Sequence, residues 1–281
     1  MTDMKRVMAG IVAGFLACAP VARAQPLPRV VSLNVCTDQL LLLLAGPGQI
    51  AGVTPLARDC WNAVLCEQAR HVPVLRPTAE NVVAFHPDVV LGESYTAAVA
   101  IQAARERGAR VIVMPPAQAL ADIPGQIMMV ANAIGAGARG RALAADFTRR
   151  LASLSTDPGP GSPTAAIYAA NGFITRAGSL PDDVLAHAGL RNYATVMEGQ
   201  GAPRLSMEVL VAHPPDLLVL DRSGQGASLA QSMPDHPALK RAFAGPRHLD
   251  LPARLWLCGL PQTLDSVAML RAARNGLERV R

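Results

Sequence analysis

Short runs of branched aliphatics, bounded by polar turns, recur along the chain from residue 29, and between them apolar positions repeat at helical spacing. RVVSLN (29–34) predicts a strand. An apolar helix follows through Ala45, with Thr37 or Asp38 as its cap and Gly46-Pro47-Gly48 as its stop. IAGVT (50–54) predicts a second strand, 78–85 a helix, 88–92 a strand, 95–107 an amphipathic helix and 109–114 another strand. The pattern then turns wholly helical. Asp122 would cap a helix with Pro124 in its first turn, and a second helix runs from about 138 to 154. After the Pro/Gly-rich TDPGPGSP (156–163), alternation resumes with strand 165–170, helix 181–189, a helix–strand unit at 206–220, a strand near 254–257 and a helix over 262–279. Strands alternating with helices in this way mean parallel sheets covered by helices.

One phrase occurs twice. TAENVVAFHPDVVL (78–91) matches SMEVLVAHPPDLLV (206–219), so that Glu80 falls on Glu208, Ala84 on Ala212, Pro87 on Pro215 and Asp88 on Asp216. Each copy is a short helix delivering a buried strand, with one glutamate in the first turn. The repeat implies two similar lobes. The segments read as a leader (1–24), an N-terminal α/β lobe (25–118), a bridging helix with the helix that follows it (119–155) and a C-terminal α/β lobe (156–281).

Composition narrows the classes. Just over half the residues are apolar and 17% are charged, enough for buried cores and too ordered a mix for a disordered chain. Part of the formal +5 charge belongs to the leader, and the rest is scattered arginine without a basic stripe, which argues against nucleic-acid binding. Lys5 and Arg6, an apolar core over 7–17 and Ala22-Arg23-Ala24 before Gln25 form a secretory signal. FLAC (15–18) offers the competing reading of a lipid anchor at Cys18, for which Phe15 is a poor first residue. In an oxidising compartment Cys60 and Cys66 flank a loop suited to a local disulfide, while Cys36 and Cys258 remain open between buried thiols, a second bridge and soft ligands in a cleft.

Other signals lead nowhere. GAGARG (135–140) fits the dinucleotide fingerprint by letter, but a helix precedes it where a strand is required. The six histidines form no ligand-spaced cluster; His86 and His213 sit at the helix–strand corners of the repeat. No cofactor or resident metal is expected.

From RVVSLNVCTDQL through AENVVAFHPDVVLGES, the helical joint, NGFITRAGSLPDDVLAHAGLRN, SMEVLVAHPPDLLVL and the terminal helix, the chain resembles the class III periplasmic binding proteins, which serve ABC importers of cobalamin, ferric siderophores and haem. The resemblance implies an α/β fold of two lobes with parallel sheets, joined by a single long rigid helix, with the ligand cleft between them. It implies a periplasmic, non-enzymatic monomer that binds a metal chelate and docks on an ABC permease dimer through Glu80 and Glu208. The alternatives are a binding or sensor protein uncoupled from transport, and a secreted α/β enzyme.

Ligands of open α/β sheets contact the carboxyl ends of strands. That rule points to 34–38, 54–61 and 92–96 in the first lobe, and to 171–176, 221–224 and 256–258 in the second. Asn34, Cys36, Trp61, Tyr95, Phe173 and Trp256 become candidate cleft residues, with Arg176 and Arg222 as candidate partners of an anionic ligand. Arg58 and Arg254 lie near the same ends.

Overall fold

A computed structural model describes residues 26–197, 204–222 and 232–279; for Arg222 it describes the backbone only. The leader, Cys18 and the end of the 221–224 loop lie outside the described residues. Strands β1 (Val30–Ser32), β2 (Ile50–Gly52), β3 (Val89–Glu93) and β4 (Arg110–Met114) form one parallel sheet in the order β2-β1-β3-β4. Strands β5 (Thr164–Tyr168), β6 (Arg191–Asn192), β7 (Leu217–Arg222) and β8 (His248–Pro252) form a second parallel sheet in the equivalent order, β6-β5-β7-β8. The repeated phrase supplies the helix before β3 and the helix before β7, the third strand of each sheet.

Side-chain alternation along the strands decides which face each residue buries. Val30, Val89 and Leu91 point to a central core, whereas Val31 and Val90 pack with Val82, Ile101 and Ala104 on the outer face of the first lobe. In the second lobe Ala165, Ile167, Leu217 and Val219 face the same central core, and Ala166, Tyr168, Leu218 and Leu220 pack outward with Leu210 and Phe243. Both sheets are therefore buried on two sides, which explains the unbroken aliphatic runs.

The helices Ile123–Ala133 and Gly137–Leu154 link the lobes. The second is about 27 Å long at the standard rise per residue. Near its start, Arg139 donates to the carbonyls of Leu44 and Ala45 in the first lobe. Near its end, Arg150 pairs with Asp265, and Arg271 donates to the Leu154 carbonyl from the C-terminal helix Thr263–Glu278. One rod is thus pinned to both lobes.

Three local expectations change. The cap of the first helix, Val35–Leu44, is Asn34, whose side-chain oxygen accepts from the Cys36 N–H. Asp122 accepts from the amides of Gln118 and Ala119, upstream of its helix, because a 3-10 turn over Leu120–Asp122 precedes the helical start. The last strand lies at His248–Pro252, where His248 registers with Leu218; the 254–257 run instead begins inside a 3-10 turn at Ala253–Leu255, and its Trp256 and Leu257 line the cleft.

Asp38 is not a cap but a fully buried residue of the first helix. Its carboxylate takes the Thr54 amide and hydroxyl, binding the helix to the end of β2. Burial pushes its pKa up to about 7, with the Thr54 and Ser32 hydrogen bonds opposing. A carboxyl raised in the folded state stabilises the protein below the ordinary carboxylate range and loses that contribution as pH rises through about 7. Urea denaturation of the wild type is expected to show a fall on the order of 4 kcal/mol between acid and neutral pH from this group. In Asp38→Asn the profile should flatten; an unchanged slope would remove Asp38 as its source.

Candidate interlobe binding site

The carboxyl ends of both sheets converge on one cavity of about 400 Å³, at the small end of ligand-binding cavities. From the first lobe it is lined by Cys36, Asn62 and Glu93, with Pro116, Ala117 and Gln118 leading into the bridge. The second lobe contributes Ser179, Leu180, Pro181 and Asp221, then Ala253 and the run from Trp256 to Gly259. Each element arrives there because its strand stops: β3 ends at Glu93, β7 carries Asp221 as its penultimate residue, and β8 ends at Pro252. A slightly larger depression, about 440 Å³ between Pro158 and Thr195, lies at the edge strand β6, where Asp182 and Asn192 already bond each other.

The cavity is closed on one side by covalent chemistry. Cys36, in the first turn of the Val35–Leu44 helix, is joined to Cys258 across the two lobes, at a sequence separation of 222. Beside this bridge Arg254 donates to the Cys60 carbonyl, and Cys60 is joined to Cys66 within its own loop. Cys60, Cys66 and Glu67 are the only three ligand-type side chains that converge among the described residues, and two of their donor atoms are spent in that disulfide.

Two carboxylates face the cavity. Burial raises the pKa of Glu93, with the Asn34 side chain opposing; burial raises Asp221 to about 6, with the Trp256 side chain opposing. Asp221 Oδ1 is buried and receives no hydrogen bond. Neither acid was singled out from sequence. The repeat could have found them, because the offset that carries Glu80 onto Glu208 also carries Glu93 onto Asp221.

The expected cleft residues divide. Cys36 and the buried Trp256 line the cavity, and Asn34 stands behind Glu93. Trp61 is 38% exposed beside the lining residue Asn62, and Tyr95, at 87% exposure, projects from the rim without contributing to the cavity wall. Phe173 carries the Arg204 guanidinium over its ring at 4.4 Å, and Arg176 is exposed on the same loop. Arg222 closes β7, with a side chain outside the described residues. Arg58 and Arg254 are committed elsewhere: Arg58 donates to the carbonyls of Ala69 and Val72, and Arg254 to that of Cys60.

Glu80 and Glu208 occupy matching places outside the cavity lining. Each is in the first turn of a short helix, Ala79–Ala84 or Met207–Ala212, capped by Thr78 or Ser206. Their own backbone amides and the capping hydroxyls hold both carboxyls below the usual range, so both are ionised. No helix among the described residues is long and apolar enough to cross a membrane.

Two lobes of equal strand order, a pinned rod between them and a cavity at the strand ends define a bilobed binding protein. Residues 30–245 match the family model of periplasmic binding proteins, and the chain belongs to that family, which implies a periplasmic location. Among solved structures it is similar to a periplasmic haem-binding protein from Pseudomonas aeruginosa, with 26% identity, a TM-score of 0.68 and 88% of this chain covering 92% of that one. The haem-binding protein BhuT, solved with two haems, matches at 20% identity and TM-score 0.70 over 89% of this chain and 99% of its own. The vitamin B12-binding protein BtuF of Vibrio cholerae matches at 16% and 0.68, over 90% and 99%. The last two likenesses establish the fold alone. No curated protein matches the chain.

Proposed function

We propose that this chain is the solute-binding component of an ABC importer, capturing a metal chelate of cobalamin, ferric-siderophore or haem type between its lobes and delivering it to a membrane permease. The observation that carries this reading is the cavity built from equivalent strand ends of two like-ordered sheets, each lobe also carrying an exposed glutamate at an equivalent place. The leader predicted over 1–24 would export the chain as a soluble protein, and it acts as a monomer without catalysing a reaction. The likeness to a periplasmic haem-binding protein supports a ligand of this class.

Trp256 in the cavity wall makes intrinsic fluorescence the direct assay. Saturable one-to-one quenching by cobalamin, haem or a ferric siderophore, corrected for inner-filter absorption and repeated by calorimetry, is the expected result. Silence from all three classes would remove chelate binding as the function.

A further inference from the structure

The cavity has a definite charge. Glu93 and Asp221 stand at corresponding points of the third strand in each sheet, so each lobe offers one carboxylate to whatever lies between them. Lys, Arg and His are absent from the lining among the described residues. The nearby arginines Arg58, Arg254 and Arg204 are engaged with Ala69 and Val72, with Cys60 and with Phe173. Arg176 is exposed on the loop after β5, and Arg222 adjoins Asp221 in sequence. The stretches 198–203 and 223–231 contain no basic residue.

Asp221 also lacks what a buried carboxylate oxygen normally finds. Nearly every buried acceptor has a donor, and one without a partner calls for an explanation. Asp221 Oδ1 has none, although the Trp256 side chain meets the carboxylate from one side. Glu93 has only the Asn34 side chain against its burial. A ligand that brings donors would complete Asp221, could bond Glu93 as well, and would couple the two lobes through itself.

We propose that Glu93 and Asp221 determine specificity, selecting a chelate that turns cationic or N–H-bearing groups, such as primary amides or amines, into the cavity. They reject one that turns carboxylates or phenolates inward. This inference rests on the chelate-binding reading above and narrows its ligand class. A hydrogen bond to a desolvated carboxylate is strong enough that each acid contributes about tenfold in affinity, whereas an inward-facing anion meets repulsion from both lobes.

Calorimetry on the full-length exported protein decides it, with four probes: cobinamide, whose rim bears primary amides; ferrioxamine B, which carries an amine; haem, which carries two carboxylates; and a ferric tris-catecholate. The wild type is expected to prefer cobinamide or ferrioxamine B. Glu93→Gln together with Asp221→Asn should weaken that binding by about a hundredfold while improving binding of the anionic probes. Circular dichroism and thermal melting should find both variants folded, since neutralising a buried acid removes a burial cost. Preference of the wild type for haem or the catecholate, or amide-ligand affinity indifferent to both substitutions, would overturn the inference and leave chelate binding standing. Failure of all four probes to bind would overturn both. The wild-type ranking is informative even if a variant were to misfold.

Discussion

Reversing charge at both Glu80 and Glu208, as Glu80→Lys with Glu208→Lys, is expected to abolish uptake driven by the proposed importer while ligand affinity stays unchanged. Both residues are fully exposed and ionised, and neither borders the cavity. Exposed ion pairs are individually weak, so two such docking contacts would give register more than strength. Reversal does more than delete them. It would set like charges against the basic groups that a docking partner for these glutamates would carry, which opposes association outright. A single reversal leaves the other lobe able to dock and should give an intermediate rate. Uptake in reconstituted vesicles, with calorimetry of the same variants, separates the steps. Full uptake by the double variant would end the docking role, and loss of chelate affinity would show that these helices serve the cleft instead.

The second large effect concerns the cysteines. Removing the interlobe bridge as Cys36→Ala with Cys258→Ala is expected to cost far more stability than removing the local one as Cys60→Ala with Cys66→Ala. The first closes a span of 222 residues and the second a span of 6. Loop-closure entropy scales with the logarithm of that span, giving about 5 kcal/mol against about 2 kcal/mol. Guanidinium unfolding of the two variants checks the ordering. Equal losses would mean that the unfolded chain is not released by opening the long loop. The pairing itself can be read from non-reduced peptide maps. Without the interlobe bridge the rod over Gly137–Leu154 would be the main restraint on lobe separation, and ligand dissociation should become faster.

Much of this architecture was visible in the amino-acid order. The duplicated helix–strand phrase located β3, β7, Glu80 and Glu208, because burial on two faces leaves aliphatic runs that no surface element needs. The repeat already implied the bilobed plan, and the family resemblance agreed with it. Chain ends of elements were harder to place. Thr37 and Asp38 looked like caps, yet Asn34 caps the helix and Asp38 is buried against Thr54, a contact between positions that only the sheet brings together. The run at 254–257 looked like a strand, but strand pairing stops at Pro252. For the site, Cys36 and Trp256 were expected at the cleft and line it, whereas Tyr95 does not reach the cavity wall. Cys36 and Cys258 could not be paired by reading alone, since nothing in one dimension brings residues at opposite ends of the chain within 5.1 Å between Cα atoms.

The central core has one more implication. Val30 and Leu91, Ile127 and Phe147, Ile167 and Val219, and Leu264 and Val267 belong to a single continuous apolar cluster running from one sheet, through the bridge, to the other. Neither half could be excised intact. A fragment ending before the bridge would expose the inner surface of its sheet to water, and so would one beginning after it. Melting should accordingly be a single calorimetric transition, and halves produced separately should recover native shape only when mixed.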